Sequence, residues 1–423
     1  MIRVSLTLLF VLGLLASCAA PVPQIAQPSQ IFTQGPAPDA TSSPIRNTPL
    51  PPSSPSPTAG APTAIVEPTL APTPTSEAQA GWIVYTGVDE NIWLINAATG
   101  EKRQVTQDAM PNKPGVEKET ITYCCAQWSS DGRLLAYQRE LGTPISSGYH
   151  YLDGLWVYDV ISGAARQVLE NQDVVGYTWK PLTHLIAYAL PVAQGYFTKQ
   201  RGQLSAKDAL GIWALNIDKG DPFELVQPQR GFSLVNPKWS KDGRFLAFDE
   251  VLGMEGRGQF AYYDFEAQEY VGWDRVIGSY DWSPDSRQIA YDEMAYVPSG
   301  TERIWLSDRL GKGEQAFSPQ YNKGYAFNPV FSPQGDQMAY LAALNGPESN
   351  QYTLFVQPLE TGEPRSLGVF EQAGDLAWSP DGKHLTLFGG PYEERQVLVV
   401  TIADGSVKTL AKGNQPAWQP VSP

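Results

Sequence analysis

Side chains able to carry nucleophilic or metal chemistry are few in this 423-residue chain: Cys18, Cys124 and Cys125, with His150, His184 and His384. A zinc or manganese centre needs three or four convergent ligands. Three histidines at unrelated positions, two of them beside turns, predict no such centre. Carboxylates are plentiful, but Asp131, Asp242, Asp285 and Asp381 each follow a Ser by two residues and precede Gly or Ser. There an Asp bonds neighbouring backbone groups and shapes a turn, so they read as turn formers. The chain contains no Gly-x-Ser-x-Gly elbow and no EF-hand loop. Cys124 and Cys125 are adjacent, with Cα atoms about 3.8 Å apart across a trans peptide, closer than ordinary disulfides prefer. They read equally as a vicinal disulfide on a distorted backbone or as two free thiols packed in an inner strand.

Cys18 has its own context. Arg3 supplies a positive n-region, and Leu6 to Leu15 an apolar stretch too short for an ordinary membrane span. The Leu15-Ala16-Ser17-Cys18 that follows resembles a bacterial lipobox. That resemblance implies a signal peptide over 1–17, lipid on Cys18, and export to the outer face of the cytoplasmic membrane or to the outer membrane. From 18 to 80, Pro, Ser, Thr and Ala dominate, as in Pro51-Pro52-Ser53-Ser54-Pro55. Such a composition cannot bury a core and predicts a disordered, extended tether.

Charge narrows the partners. Lys and Arg total 30 against 44 Asp and Glu, a formal net charge of −14. This leaves no basic stripe for nucleic acid and no attraction to anionic headgroups. Membrane contact is expected through the lipid anchor only.

Beyond Gly81 short apolar runs alternate with Gly and Asp turns, and one phrase recurs. Trp128-Ser129-Ser130-Asp131-Gly132 is followed by a Leu-Ala-Tyr run; it returns at Trp239, Trp282, Phe331 and Trp378, in degenerate form at Trp179, and truncated at Trp418. These copies resemble the WSPDG (WD40-like) repeats of TolB and related propellers over residues 82 to 421. The fold class implied is all-β: one β-propeller over 81–423. Spacings of roughly 40 to 60 residues suit a four-stranded blade each, and the motif aromatics predict seven blades, although TolB itself is usually described with six. Residues 82–106 lack an innermost strand, which Pro416-Ala417-Trp418 is expected to supply from the other terminus, closing the ring without an open edge.

Prolyl oligopeptidase-type peptidases pair a related propeller with an α/β-hydrolase domain, and some similar lyases hold a metal in the channel. With the repeats filling 82–421 and no catalytic motif, the chain is expected to be a monomeric binding module for a protein, peptide or glycan, without cofactor, and not an enzyme. The alternative is a hydrolase or lyase using acidic residues at the channel mouth.

Two sets of residues are candidates for binding. Extra length falls in segments such as 107–123, 140–153, 191–210 and 318–328, all predicted to emerge on one face. They carry Tyr149, His150, Tyr151 and Asp153, then Tyr196, Phe197, Lys199 and Arg201, then Tyr321 and Tyr325. Aromatics with an occasional cation dominate recognition surfaces. Three residues before each motif aromatic stand Cys125, Gly176, Asn236, Ser279, Asn328, Asp375 and Gln415. All are small or polar, and they are expected to ring the channel mouth, bonding backbone groups more than ligand.

Overall fold

The computed structural model describes residues 81–421, apart from 112–117, 147, 170–172, 192–208, 252–257, 294–301 and 361. Cys18, the segment 18–80, and Tyr196, Phe197, Lys199 and Arg201 lie outside the described residues. Within them the chain is a β-propeller of 27 strands with one short 3-10 turn, Tyr392–Glu394.

Five separate four-stranded antiparallel sheets span 120–169, 176–226, 233–272, 280–316 and 325–371. The remaining strands form a single seven-stranded sheet. Its centre is Val407–Trp418, which changes partner midway. Val407 to Lys412 pairs with Gln396–Thr401, while Gly413 to Trp418 pairs with Trp82–Gly87. Strands from the two ends of the domain therefore lie side by side.

The repeated phrase builds each sheet's inner hairpin by local bonds. Ser129 Oγ donates to Asp131 Oδ1 at 2.5 Å, the Arg133 amide donates to the same oxygen at 3.1 Å, and the Leu134 amide donates to Ser129 Oγ at 2.9 Å. The same three bonds recur around Asp242, Asp285 and Asp381. Gly132, Gly243 and Gly382 close their turns at φ of +68°, +70° and +70°, where a Cβ would be strained. These four aspartates are turn formers, each with Oδ1 committed to its own loop.

The core lies between neighbouring sheets. Leu134, Ala136 and Val157 of one sheet bury against Tyr177, Trp179 and Ile186 of the next. Motif tryptophans also stitch the seams: the indole N–H of Trp128 donates to Ala417 O, Trp179 to Gln127 O and Trp378 to Val330 O, each at 3.1–3.2 Å. Large aromatics thus fill space and satisfy a carbonyl of the adjacent inner strand.

Candidate functional site at the channel mouth

Most inner strands are interrupted just before their motif aromatic, those ending at Trp179 and Trp282 excepted. Pairing shifts register between Cys124 and Gln127, Val235 and Lys238, Phe327 and Val330, and Gly374 and Ala377. At these bulges Cys125, Asn236, Asn328, Asp375 and Gln415 adopt left-handed φ of +64°, +53°, +59°, +54° and +53°. Asn and Asp tolerate that region best among residues with a side chain, which explains their recurrence three residues before the aromatic. A bulge re-aims its side chain and frees backbone groups.

Those freed groups are tied from sheet to sheet. The Cys125 amide donates to Gln415 Oε1 at 2.9 Å, and the Gln415 amide donates to Asp375 Oδ2 at 3.2 Å. Where the ring position is the short Ser279, Asp292 takes over: its Oδ2 accepts the Ser279 amide at 3.2 Å and the Asn328 amide at 3.0 Å. Asn236 Nδ2 donates to Asp249 Oδ2 at 2.9 Å. Asp249 and Asp292 belong to second strands, one residue past the Leu-Ala-Phe and Ile-Ala-Tyr runs, and the motif pattern gave no reason to single them out.

One step along the inner strands, Asp281 is buried. Its Oδ1 lies 3.2 Å from Lys238 Nζ and 3.3 Å from Lys241 Nζ, and its Oδ2 accepts the Phe331 amide at 3.1 Å. Burial raises the cost of its charge, but Lys241 and Lys238 outweigh it and hold the carboxyl below the ordinary range. Burial pushes the Lys238 ammonium down, against the pull of Asp281. Asp375 is solvent-exposed, yet the protein packed around its carboxyl outweighs the Gln415 amide and Arg395 and pushes it up. The inner strands thus carry one carboxyl shifted up by its surroundings and one shifted down by two lysines.

Cys124 and Cys125 are bonded to each other at this ring. The Cys125 carbonyl accepts the Tyr177 hydroxyl at 2.5 Å. Among the described residues no cluster of three or more His, Cys, Asp or Glu has metal-binding geometry. His184 sits between Asp218 (2.8 Å) and Asp131 (3.2 Å) beside the turns.

The candidate surface residues do not form one patch. Segment 140–153 is not a loop but the outer part of a long hairpin, Leu134–Ile145 with Gly148–Asp159. Tyr149, His150, Tyr151 and Asp153 lie on its second strand, opposite Pro144, Thr143, Gly142 and Glu140. Tyr149 and Tyr151 stack at 5.9 Å, and Tyr151 is 47% exposed. Tyr325 is buried in the inner strand Tyr325–Phe331, and Tyr321 packs on Phe355, so neither is a free recognition residue. The alternation of small and aromatic residues around them is a strand pattern, misread as loop content.

No protein-family profile matches the chain. Its fold is that of propellers in the solved structures: it resembles an oligogalacturonate lyase solved with manganese (TM-score 0.54, 14% identity, 79% of this chain and 84% of that one). It is equally similar to a prolyl endopeptidase (TM-score 0.54, 15% identity, 76% of this chain and 46% of that one). TolB from Acinetobacter baumannii is also among the neighbours (TM-score 0.45, 14% identity, covering 71% and 83%).

In sequence, the chain is similar to dipeptidyl-peptidase 5 of Porphyromonas gingivalis, 29% identical over 145 residues, 32% of this chain and 21% of that protein. Dipeptidyl-peptidase 5 of Aspergillus fumigatus is 30% identical over 122 residues, 25% of this chain and 17% of its own. The chain thus aligns with about a fifth of the length of these relatives. These similarities correct the expectation that the chain is not an enzyme. That expectation rested on a missing motif, whereas the sequence relatives carry peptidase names and point toward enzymatic function.

Proposed function

We propose that the protein acts in peptide hydrolysis, with the carboxylate-lined channel mouth as the place where substrate is engaged. The similarity to two dipeptidyl-peptidases carries this reading. A free peptide amino end is a cation, and Asp249 and Asp375, both reached by solvent, offer carboxyl groups beside Asn236 and the Gln415 amide. Asp375, its carboxyl pushed up, is suited to protonate a departing nitrogen as water attacks the carbonyl. The ring is counted as seven blades, taking the seven-stranded sheet as two that share Val407–Trp418.

The test uses the full-length chain with dipeptidyl arylamides, unblocked and N-acetylated. Turnover of the unblocked form only is expected, and Asp375→Asn should lower kcat by roughly 100-fold or more. The same variant should be no less stable at neutral pH. A carboxyl whose folded pKa is raised costs stability as pH climbs from its unfolded value through its folded one. The Asn variant escapes that loss, so its advantage in melting temperature should grow across that window. No turnover of either substrate would sink the reading.

Tyr149, stacked on the exposed Tyr151, supports with it a second role in recognising longer partners. Alanine at both should raise KM for a decapeptide while leaving the arylamide unchanged; equal effects on both would remove the hairpin from recognition.

We also place this activity outside the cell on a lipid anchor at Cys18. A diacylated Cys holds a protein stably, whereas one chain alone binds reversibly. Cys18→Ser should move most of the protein from the membrane pellet to the soluble fraction, and an unchanged distribution would exclude the anchor.

A further inference from the structure

On the face of the short inner turns, each motif turn rests on the turn of the preceding sheet. A Cβ added at Gly335 would stand 3.4 Å from Pro284, and one at Gly243 would stand 3.5 Å from Pro181. The Leu182 amide donates to Ser130 Oγ at 2.8 Å, and the Asp242 amide donates to Ser286 Oγ at 3.1 Å. Gly132 backs onto Gln419 and Pro420, and Gly382 onto Gln334. One seam has no such partner. After Trp418 the chain runs to Val421, while the strand paired with it begins afresh at Trp82. No Ser-Pro-Asp-Gly turn links those two strands, so among the described residues no turn packs over Pro380 and Asp381.

The uncovered place is a cleft of about 640 Å³, within the usual size of small-molecule sites. Its walls are mostly apolar, with Trp418, Val399 and Pro380 inside and the exposed Val407 and Val421 at the rim. The polar groups are unequal. Asp381 is committed to its own turn through Ser379 Oγ at 2.6 Å and the Lys383 amide at 3.1 Å. Lys408 lines the cleft with Nζ held at its edge by Ala97 O at 2.8 Å, its charge opposed by no carboxylate within ion-pair distance among the described residues.

We propose that this cleft binds an amphipathic organic anion of the fatty-acid type, its apolar body against Trp418 and Val399 and its carboxylate toward Lys408. The site exists because the ring is closed by two chain ends instead of one continuous hairpin. It lies on the opposite face from the bulge ring and does not depend on peptide hydrolysis.

Isothermal titration of the full chain tests it, with dodecanoate and, as a cation of equal length, dodecyltrimethylammonium. Dodecanoate should bind saturably, one per chain, and at least tenfold tighter than the cation. Lys408→Glu should abolish or reverse that preference. Ala98→Trp, at an exposed position on the rim, should weaken both ligands at least tenfold. Lys312→Glu, exposed on the sheet spanning 280–316 and outside the cleft, should change neither. No saturable binding overturns the proposal. So does binding indifferent to both Lys408→Glu and Ala98→Trp, or lost equally in Lys312→Glu.

Discussion

Deletion of residues 416–423 is expected to lower the melting temperature of the propeller by about 10 °C or more, or to prevent its folding. The segment supplies the pairing of Ala417 with Val84 and of Trp418 with Ile83. It also supplies the Ala417 carbonyl that Trp128 bonds at 3.2 Å, and Gln419, whose Nε2 donates to Gly132 O at 2.7 Å and whose amide donates to Trp82 O at 2.8 Å. Loss of a fully buried Trp costs about 3–5 kcal/mol. Trp418 is partly buried, and the lost ladder and seam bonds add to its share. Roughly 1–3 °C of melting temperature goes with each kcal/mol in a domain of this size. Ile83 and Val84, fully buried in the intact protein, would lie on an open strand edge, a template for association. Calorimetry and size-exclusion chromatography should show an early, aggregating transition. Removing only 421–423 should leave both unchanged. An unaltered transition in the longer deletion would mean that the ring is not closed by this strand.

The second large effect is at Asp281. Alanine there leaves Lys238 and Lys241 without their shared carboxylate and strands the Phe331 amide. Asp281 is buried, but its lysines are 40% and 49% exposed. The cost should therefore fall below the roughly 3–5 kcal/mol of a fully buried charged network. About 1–3 kcal/mol is expected, set mostly by the stranded Phe331 amide. Because the folded carboxyl is held below its ordinary value, its contribution is complete above the unfolded pKa and fades as pH falls through the folded one. Denaturant titrations at pH 7 and pH 3 should therefore show a gap between wild type and Asp281→Ala that narrows in acid. A gap independent of pH would assign the loss to packing. A gap under about 1 kcal/mol, the scale of exposed pairs, would mean that the network is not buried in solution.

The residue types at the channel mouth were legible, but their purpose was not. Asn236, Asn328 and Asp375 stood out by position in the repeat, and their left-handed φ explains why those types recur. Asp249 and Asp292 were invisible because a polar residue at the end of a strand is ordinary; only the folded hairpin brings Asn236 to Asp249, and only the neighbouring sheet brings the Asn328 amide to Asp292. Tyr149 and Tyr151 were visible as candidate recognition aromatics, yet alternating residues on a long hairpin look like an enriched loop when strand length is unknown. Tyr325 shows the reverse error, since an aromatic near a loop boundary can equally open a buried strand. The enzymatic question was misjudged for another reason: a missing motif excludes one mechanism, not a function.

What the sequence determined by itself was everything built from bonds within about six residues. The Ser-x-Asp turns, the strands beginning just after them and the motif aromatics ending each inner strand follow from local hydrogen bonding and period-two burial, which each copy specifies independently. The position of the last inner strand followed from the same phrase, because a truncated copy at Trp418 lacks its second strand and residues 82–87 lack a first. The tertiary structure alone decided which groups meet across seams. Gln415 reaches Cys125 over 290 residues and Trp128 reaches Ala417 over 289, separations at which no spacing rule operates. It also created the uncovered cleft at Lys408, because a turn that is absent from the chain leaves its mark only where a neighbour would have packed against it.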